Sequence, residues 1–205
     1  MEFELLFPGS VLYVSGEIDA PTSSAVLLKD GERTIIVDPG GFPSLKALES
    51  ALGKAGVAPE DVTDVLLTHF HLDHAFNTMF FKNATIRLHK NYATRNYTAF
   101  GPIIGQMYSM VIESWSRVEP FEAGMLWDTI EIVETPFHSR EHVSFLVKTI
   151  NAGNVLIFGD LCDRQFRFYE MRKGMRNDAA SKLALELYDR ADMIVFSHDL
   201  PIIKG

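Results

Sequence analysis

The segment LLTHFHLDHAFN, residues 66–77, sets His69, His71, Asp73 and His74 within six positions, directly after the apolar run Val65-Leu66-Leu67. With 7 histidines in 205 residues, chance placement would give His-x-His-x-Asp-His in roughly one such chain in two thousand. In an extended segment, residues two apart point the same way, so His69 and His71 can face one ion. A turn after His71 then aims Asp73 and His74 at a second point nearby. Imidazole nitrogen and carboxylate oxygen suit zinc, manganese or iron better than calcium or magnesium. As a mere helix N-terminus the segment would need Asp73 as its cap, and three histidines are surplus to that.

Three further ligand types stand where apolar strands end. His138 lies in ETPFHSREH, after a strand expected over residues 129–134 and broken by Pro136. Asp160 follows Gly159 in VLIFGDLC, and His198 follows the last apolar run in VFSHDLP. Each alone reads as an ordinary loop or turn residue. Together with the histidine cluster they repeat one pattern, an apolar strand with a ligand-type side chain at its C-terminal edge.

Short β-type runs are expected over residues 3–7, 11–14, 24–28, 34–37, 64–68, 85–89, 129–134, 143–149, 155–158 and 192–196. Helical spacing marks residues 42–54 and 178–190, and most of 91–118 with a break at Gly101-Pro102. Strands before and after, with helices between, predict two sheets faced by helices, the halves being about 1–118 and 119–205. No linker or low-complexity tract interrupts the chain, so a single domain over 1–205 is expected.

Composition narrows the function classes. The longest uncharged stretch, residues 96–112, is too short and polar to span a bilayer, so no membrane partner is expected. Glu2 and Glu4 stand where an export signal would be basic, and the one cysteine, Cys162, allows no internal disulfide; both fit a cytoplasmic protein. A net charge of −8 opposes broad nucleic-acid binding without excluding a local basic groove. The uncharged stretch could roof a pocket, pack in the core or bury against a second copy in a homodimer.

In order and spacing, Val37-Asp38-Pro39-Gly40, Thr68-His69-x-His71-x-Asp73-His74, Thr135-Pro136-x-His138, Gly159-Asp160 and His198 resemble the metallo-β-lactamase-fold superfamily. The resemblance runs across almost the whole chain. It implies an α+β protein, a four-layer αββα sandwich, with a two-metal site along one edge. It implies that His69, His71 and His138 hold one ion, that Asp73, His74 and His198 hold the other, and that Asp160 bridges them. Asp38 would support the site from behind the ligands, and His142, at the start of a strand, is a second candidate for that role. The implied cofactors are two divalent ions, zinc first, with iron or manganese as alternatives. The implied activity is that of a dinuclear hydrolase. A metal lowers the pKa of bound water to about 7, and the metal-bound hydroxide attacks an electrophilic centre. Asp73 would orient the nucleophile or shuttle its proton.

Substrate class is less constrained. Asp160 stands where the true β-lactamases of this superfamily carry Cys or Ser, which points instead to the glyoxalase II-like thioesterases, lactonases and phosphodiesterases. Quorum-sensing lactonases place a tyrosine three residues after the bridging aspartate, where this chain has Asp163. Nor does the sequence leave room for the extra helical domain of glyoxalase II. A small ester-like, thioester or lactone substrate is therefore expected. A phosphodiesterase or nuclease, a mononuclear iron oxygenase of the persulfide dioxygenase type, and a non-catalytic metal-binding protein are the alternatives. Residues 163–176 read as a basic loop with Arg164, Arg167, Arg172, Lys173 and Arg176. Arg140, Arg164 and Arg167 are accordingly candidates for holding an anionic substrate group.

Overall fold

The computed structural model describes residues 1–204. Its first half supplies β1 (Glu2–Phe7), the hairpin β2 (Ser10–Val14) and β3 (Ile18–Thr22), β4 (Ala25–Lys29), β5 (Thr34–Val37), helix α1 (Leu45–Lys54), β6 (Asp64–Leu66), the single-turn helix α2 (Leu72–Ala75), β7 (Thr85–Arg87), α3 (Ile104–Ser114) and β8 (Arg117–Val118). Six of these strands form one sheet in the order β1-β4-β5-β6-β7-β8, while β2 and β3 pair only with each other. The second half supplies β9 (Gly124–Leu126), β10 (Ile130–Glu134), β11 (Val143–Lys148), β12 (Asn154–Ile157), α4 (Gln165–Arg172), α5 (Ala179–Asp189), β13 (Met193–Val195) and β14 (Ile202–Ile203). Its sheet runs β14-β13-β12-β11-β10-β9. The division of the sequence near residue 118 thus coincides with the division between sheets.

Three buried clusters define the layers. Val26, Leu28, Ile35 and Val37 of the first sheet pack against Ile130, Ile132, Phe145, Val155 and Val195 of the second. The opposite face of the first sheet, with Leu27, Ile36 and Val65, is covered by Leu48 and Leu52 of α1 and by Tyr108 and Val111 of α3. The outer face of the second, with Leu146, Leu156 and Ile194, is covered by Phe168 and Met171 of α4 and by Ala184 and Leu187 of α5. This is the four-layer αββα sandwich. Strands buried on both faces need apolar residues at every position rather than alternation, which is why β4 reads AVLLK and β5 TIIV. Each fully buried side chain of this size contributes about 1.5–3 kcal/mol of transfer free energy.

The basic loop expected over residues 163–176 is instead helical across Gln165–Arg172. Phe168 and Met171, three apart, bury on one face while Arg172 is exposed. The N-cap residue Arg164 offers no side-chain acceptor, and Asp199, distant in sequence, accepts from the Gln165 N–H at 3.0 Å. In the stretch 91–118 two short 3₁₀ turns, Lys90–Thr94 and Tyr97–Phe100, precede α3. Tyr97 and Tyr108 from this region are buried around Phe70, so part of the uncharged stretch is core. Among the described residues, no helix is long and apolar enough to cross a membrane.

Candidate metal centre

Strand register brings the candidate ligands to one edge. β5 and β6 are parallel with Val37 opposite Leu66, so Asp38 and Thr68-His69 leave the first sheet side by side. β12 and β13 are parallel with Ile157 opposite Val195, so Asp160 and His198 leave the second sheet together. β10 and β11 are antiparallel with Glu134 opposite Val143, which puts the connection carrying His138 at the same end. The two sheets are joined there, because the Val143 N–H donates to the Thr68 carbonyl at 2.8 Å and the Ser24 N–H to the Ser197 carbonyl at 2.7 Å.

His69, His71, Asp73, His74, His138, Asp160 and His198 converge as a result. His69 Nε2 and His138 Nε2 lie 3.0 and 2.9 Å from His71 Nδ1, forming one group. Asp73, His74 and His198 form another, with Asp73 Oδ2 3.5 Å from each Nε2. Asp160 stands between. Its Oδ1 is 3.2 Å from His74 and 3.4 Å from His198, and its Oδ2 is 3.3 Å from His138 and 4.0 Å from His69.

These donors fit a metal. A tetrahedral ion with ligand bonds of about 2.0–2.1 Å sets its donors roughly 3.3–3.4 Å apart, close to the spacing around Asp160 and Asp73. His74 Nδ1 lies 2.9 Å from Asp38 Oδ2, while its Nε2 is buried without a hydrogen-bond partner amid two carboxylates. A ring that donates through Nδ1 presents its Nε2 lone pair to those oxygens, an arrangement relieved by a cation. Electrostatics agree. Burial opposes charge on His74, yet the Asp73, Asp160 and Asp38 carboxylates hold its pKa well above the ordinary value. Burial and the neighbouring His74 hold His69 well below its usual range, and burial with His138 lowers His71 to about 4. Both rings are therefore neutral at physiological pH, as ligands must be.

The surrounding shell is built from backbone geometry. Asp38 adopts a positive φ of 48° and is buried. Its carboxylate accepts from Thr68 N at 2.8 Å and Thr68 Oγ1 at 2.6 Å as well as facing His74. His142 accepts from the Asp160 N–H at 2.7 Å through Nε2, which leaves Nδ1–H to donate to Thr135 Oγ1 at 2.7 Å. Gly159 makes this turn possible. Its φ is +57°, and a Cβ there would lie 2.6 Å from His142 Nε2. The His198 Nδ1–H donates to the Thr22 carbonyl at 3.0 Å, which fixes Nε2 toward the cluster.

Sequence reasoning missed several neighbours. Ser197, next to His198, places its hydroxyl 2.6 Å from Asp160 Oδ1. Thr68 Oγ1 lies 3.1 Å from His69 Nδ1. Both stand directly before a candidate ligand histidine, the one signal that could have found them. Arg95 and buried Glu141 had no such signal. Of the three proposed anion holders, Arg140 lines a cavity of about 410 Å³ beside His138. Arg164 and Arg167 instead pair with Asp163, at 3.0 and 3.1 Å. His89 lies apart from the centre, 3.0 Å from Glu134.

Comparison with known proteins agrees with this geometry. The family model for the metallo-β-lactamase superfamily matches residues 18–162. A crystal structure from Thermotoga maritima, described provisionally as a metallo-β-lactamase, superposes with a TM-score of 0.93 at 41% identity, covering 98% of both chains. The metallo-β-lactamase domain-containing protein 1 of Xenopus laevis is 30% identical over 166 residues, 78% of this chain; the match covers 63% of that protein, so this chain spans less than two thirds of its length. The N-acyl homoserine lactonase of Bacillus cereus is 27% identical over 166 residues, covering 75% of this chain and 62% of the lactonase. The chain belongs to the metallo-β-lactamase superfamily.

Proposed function

We propose that residues 1–205 form one domain that acts as a dinuclear hydrolase on a small ester-like or thioester substrate, with lactones as a related class. The observation that carries this reading is the position of Asp160, which turns one oxygen toward each histidine group. In this reading His69, His71 and His138 would hold one ion and Asp73, His74 and His198 the other, with Asp160 between the two groups available to both. Zinc is the favoured metal because the donors are imidazole and carboxylate at near-tetrahedral spacing.

Two divalent ions bound there would supply acidified water and polarise a carbonyl. The remaining work belongs to the side chains. Asp73 is the more accessible of the two carboxylates in the cluster, at 19% against 11% for Asp160, so it is placed to take a proton from water and return it to a leaving group. Asp160, held by Ser197 and by the backbone hydrogen bond to His142, keeps the two groups at fixed separation. His138 is the exposed member, at 32%, and marks the open side. Cys162 is fully buried two residues beyond Asp160 and takes no part. At the position three after Asp160, the Asp163 carboxylate is engaged by Arg164 and Arg167 and offers no hydroxyl donor, which favours open-chain esters and thioesters over acyl-homoserine lactones.

The test is elemental analysis of protein purified without added metal, followed by a panel of ester, thioester, lactone and bis-phosphodiester substrates. Two ions per chain with ester or thioester turnover is expected. One iron per chain, or turnover of the phosphodiester alone, would overturn the reading.

A further inference from the structure

Arg95 follows the 3₁₀ turn Lys90–Thr94, far from any ligand motif in sequence, yet its guanidinium reaches the edge of the centre. Its Nη1 lies 3.2 Å from His71 Nε2, the ring atom facing away from the ligand cluster, and 3.4 Å from Glu141 Oε1. The guanidinium carbon stands 4.7 Å over the Phe100 ring, so the plane of the fork is supported from one side. Arg95 is 30% exposed and lines the cavity of about 410 Å³ together with Arg140, His138 and Glu141. Among the described residues, the one acceptor of its side chain that does not depend on the His71 tautomer is Glu141, and both contacts run through Nη1. Nε–H and the Nη2 protons, the side of the fork that grips a carboxylate with two parallel bonds, carry no protein partner.

We propose that Arg95 is the specificity residue of this enzyme and binds a carboxylate borne by the substrate. The proposal rests on the hydrolase reading above and names the substrate class of that site. The lining contains two guanidiniums, Arg95 and Arg140, and one carboxylate, Glu141. Two guanidiniums against one carboxylate leave the side chains of the lining cationic, which suits an anionic substrate group, and the planar fork suits a carboxylate. Glu141 is 2% exposed and touches Arg95 at a single point, so it holds the guanidinium without occupying its fork. Because one imidazole separates Arg95 from the ligand cluster, the carboxylate must lie only a few bonds from the scissile carbonyl. A half-ester or half-thioester of a short dicarboxylic acid has this form.

The experiment compares mono-p-nitrophenyl succinate with p-nitrophenyl butyrate, two esters of similar length that differ in the terminal carboxylate. Metal-loaded wild-type protein and the Arg95→Ala and Arg95→Lys variants are assayed, with metal content and melting temperature measured for each. Calorimetric binding of monomethyl succinate gives a readout independent of turnover. In Arg95→Ala, KM for the succinate ester should rise roughly ten- to a hundredfold, with KM for the butyrate ester and both kcat values little changed. Arg95→Lys should recover part of the loss, because it restores charge without the fork. Monomethyl succinate binding should weaken in parallel. Equal losses on both esters, or a fall in metal content, would make Arg95 a support for His71 and overturn the proposal, as would unchanged kinetics on both. If wild type hydrolyses neither ester and none of the ester, thioester or lactone panel above, the hydrolase reading fails separately. Calorimetry then decides Arg95 alone: binding lost in Arg95→Ala supports the carboxylate site, and binding unchanged or absent in wild type overturns it.

Discussion

Asp38 and His74, 36 residues apart in sequence, meet at 2.9 Å, Oδ2 to Nδ1, with both side chains buried. The same carboxylate is bonded to Thr68, the residue that begins the histidine motif, so it fixes both the ring and the turn that carries it.

Asp38→Asn keeps the size of the side chain and tolerates the left-handed backbone at this position, but removes the charge facing His74. Affinity for the ion held by the His74 group should fall about ten- to a hundredfold, with the other ion less affected. Titration of metal-stripped protein with zinc checks this, and two unchanged binding steps would count against the role.

Asp160→Ala should lower metal stoichiometry far more than Cys162→Ala. The carboxylate lies within 4.0 Å of four imidazoles from both groups, whereas the thiol packs among the apolar residues beneath α4. Elemental analysis of the two variants decides it, and equal losses would show that the shared ligand has been misassigned.

Gly159→Ala forces a Cβ against His142 and strains a residue at φ +57°. Overpacking of this kind costs about 1–3 kcal/mol. The urea midpoint should drop accordingly, and metal content should fall with it because His142 positions the Asp160 backbone. A midpoint equal to wild type would mean that the turn relaxes freely.

Burial, aided by the Asp163 carboxylate, pushes the Cys162 thiol up to about 12. An exposed thiol ionises near about 8.5, so the unfolded chain loses this proton first. The stability contributed by keeping the thiol neutral is complete below the unfolded value and is lost as pH rises toward the folded one. Native protein at pH 8 should therefore resist thiol-specific labelling until urea unfolds it, and Cys162→Ala should soften the fall of urea midpoints between pH 9 and 11. Rapid labelling of the native protein would contradict the burial.

If the centre binds metal as proposed, its removal should destabilise the fold, because the candidate ligands come from both sheets. An ion present at a hundred times its dissociation constant adds about 2.7 kcal/mol. For a chain of this size, chelation should then lower the melting temperature by roughly 5–10 °C. Differential scanning calorimetry before and after chelation measures it, and no shift would place the ligands outside the cooperative unit.

The sequence by itself determined the seven converging side chains, the strands that carry most of them and the fold class. Each candidate ligand is announced locally, by an apolar run that stops at a histidine or aspartate, and the superfamily pattern supplies their order. It also showed Asp38 and His142 as neighbours of the centre, though not which atoms they hold. Tertiary structure alone decided the rest. The run 163–176 looks like a loop because its helix is started by Asp199, 34 residues away, and its one apolar face rests on just Phe168 and Met171, a pair too short to stand out among the cations. Arg164 and Arg167 look free in sequence and are turned onto Asp163 in space. Arg95 carries no motif at all. It reaches the centre because Phe100 and Glu141, one near in sequence and one 46 residues away, fix a side chain whose direction no periodicity encodes.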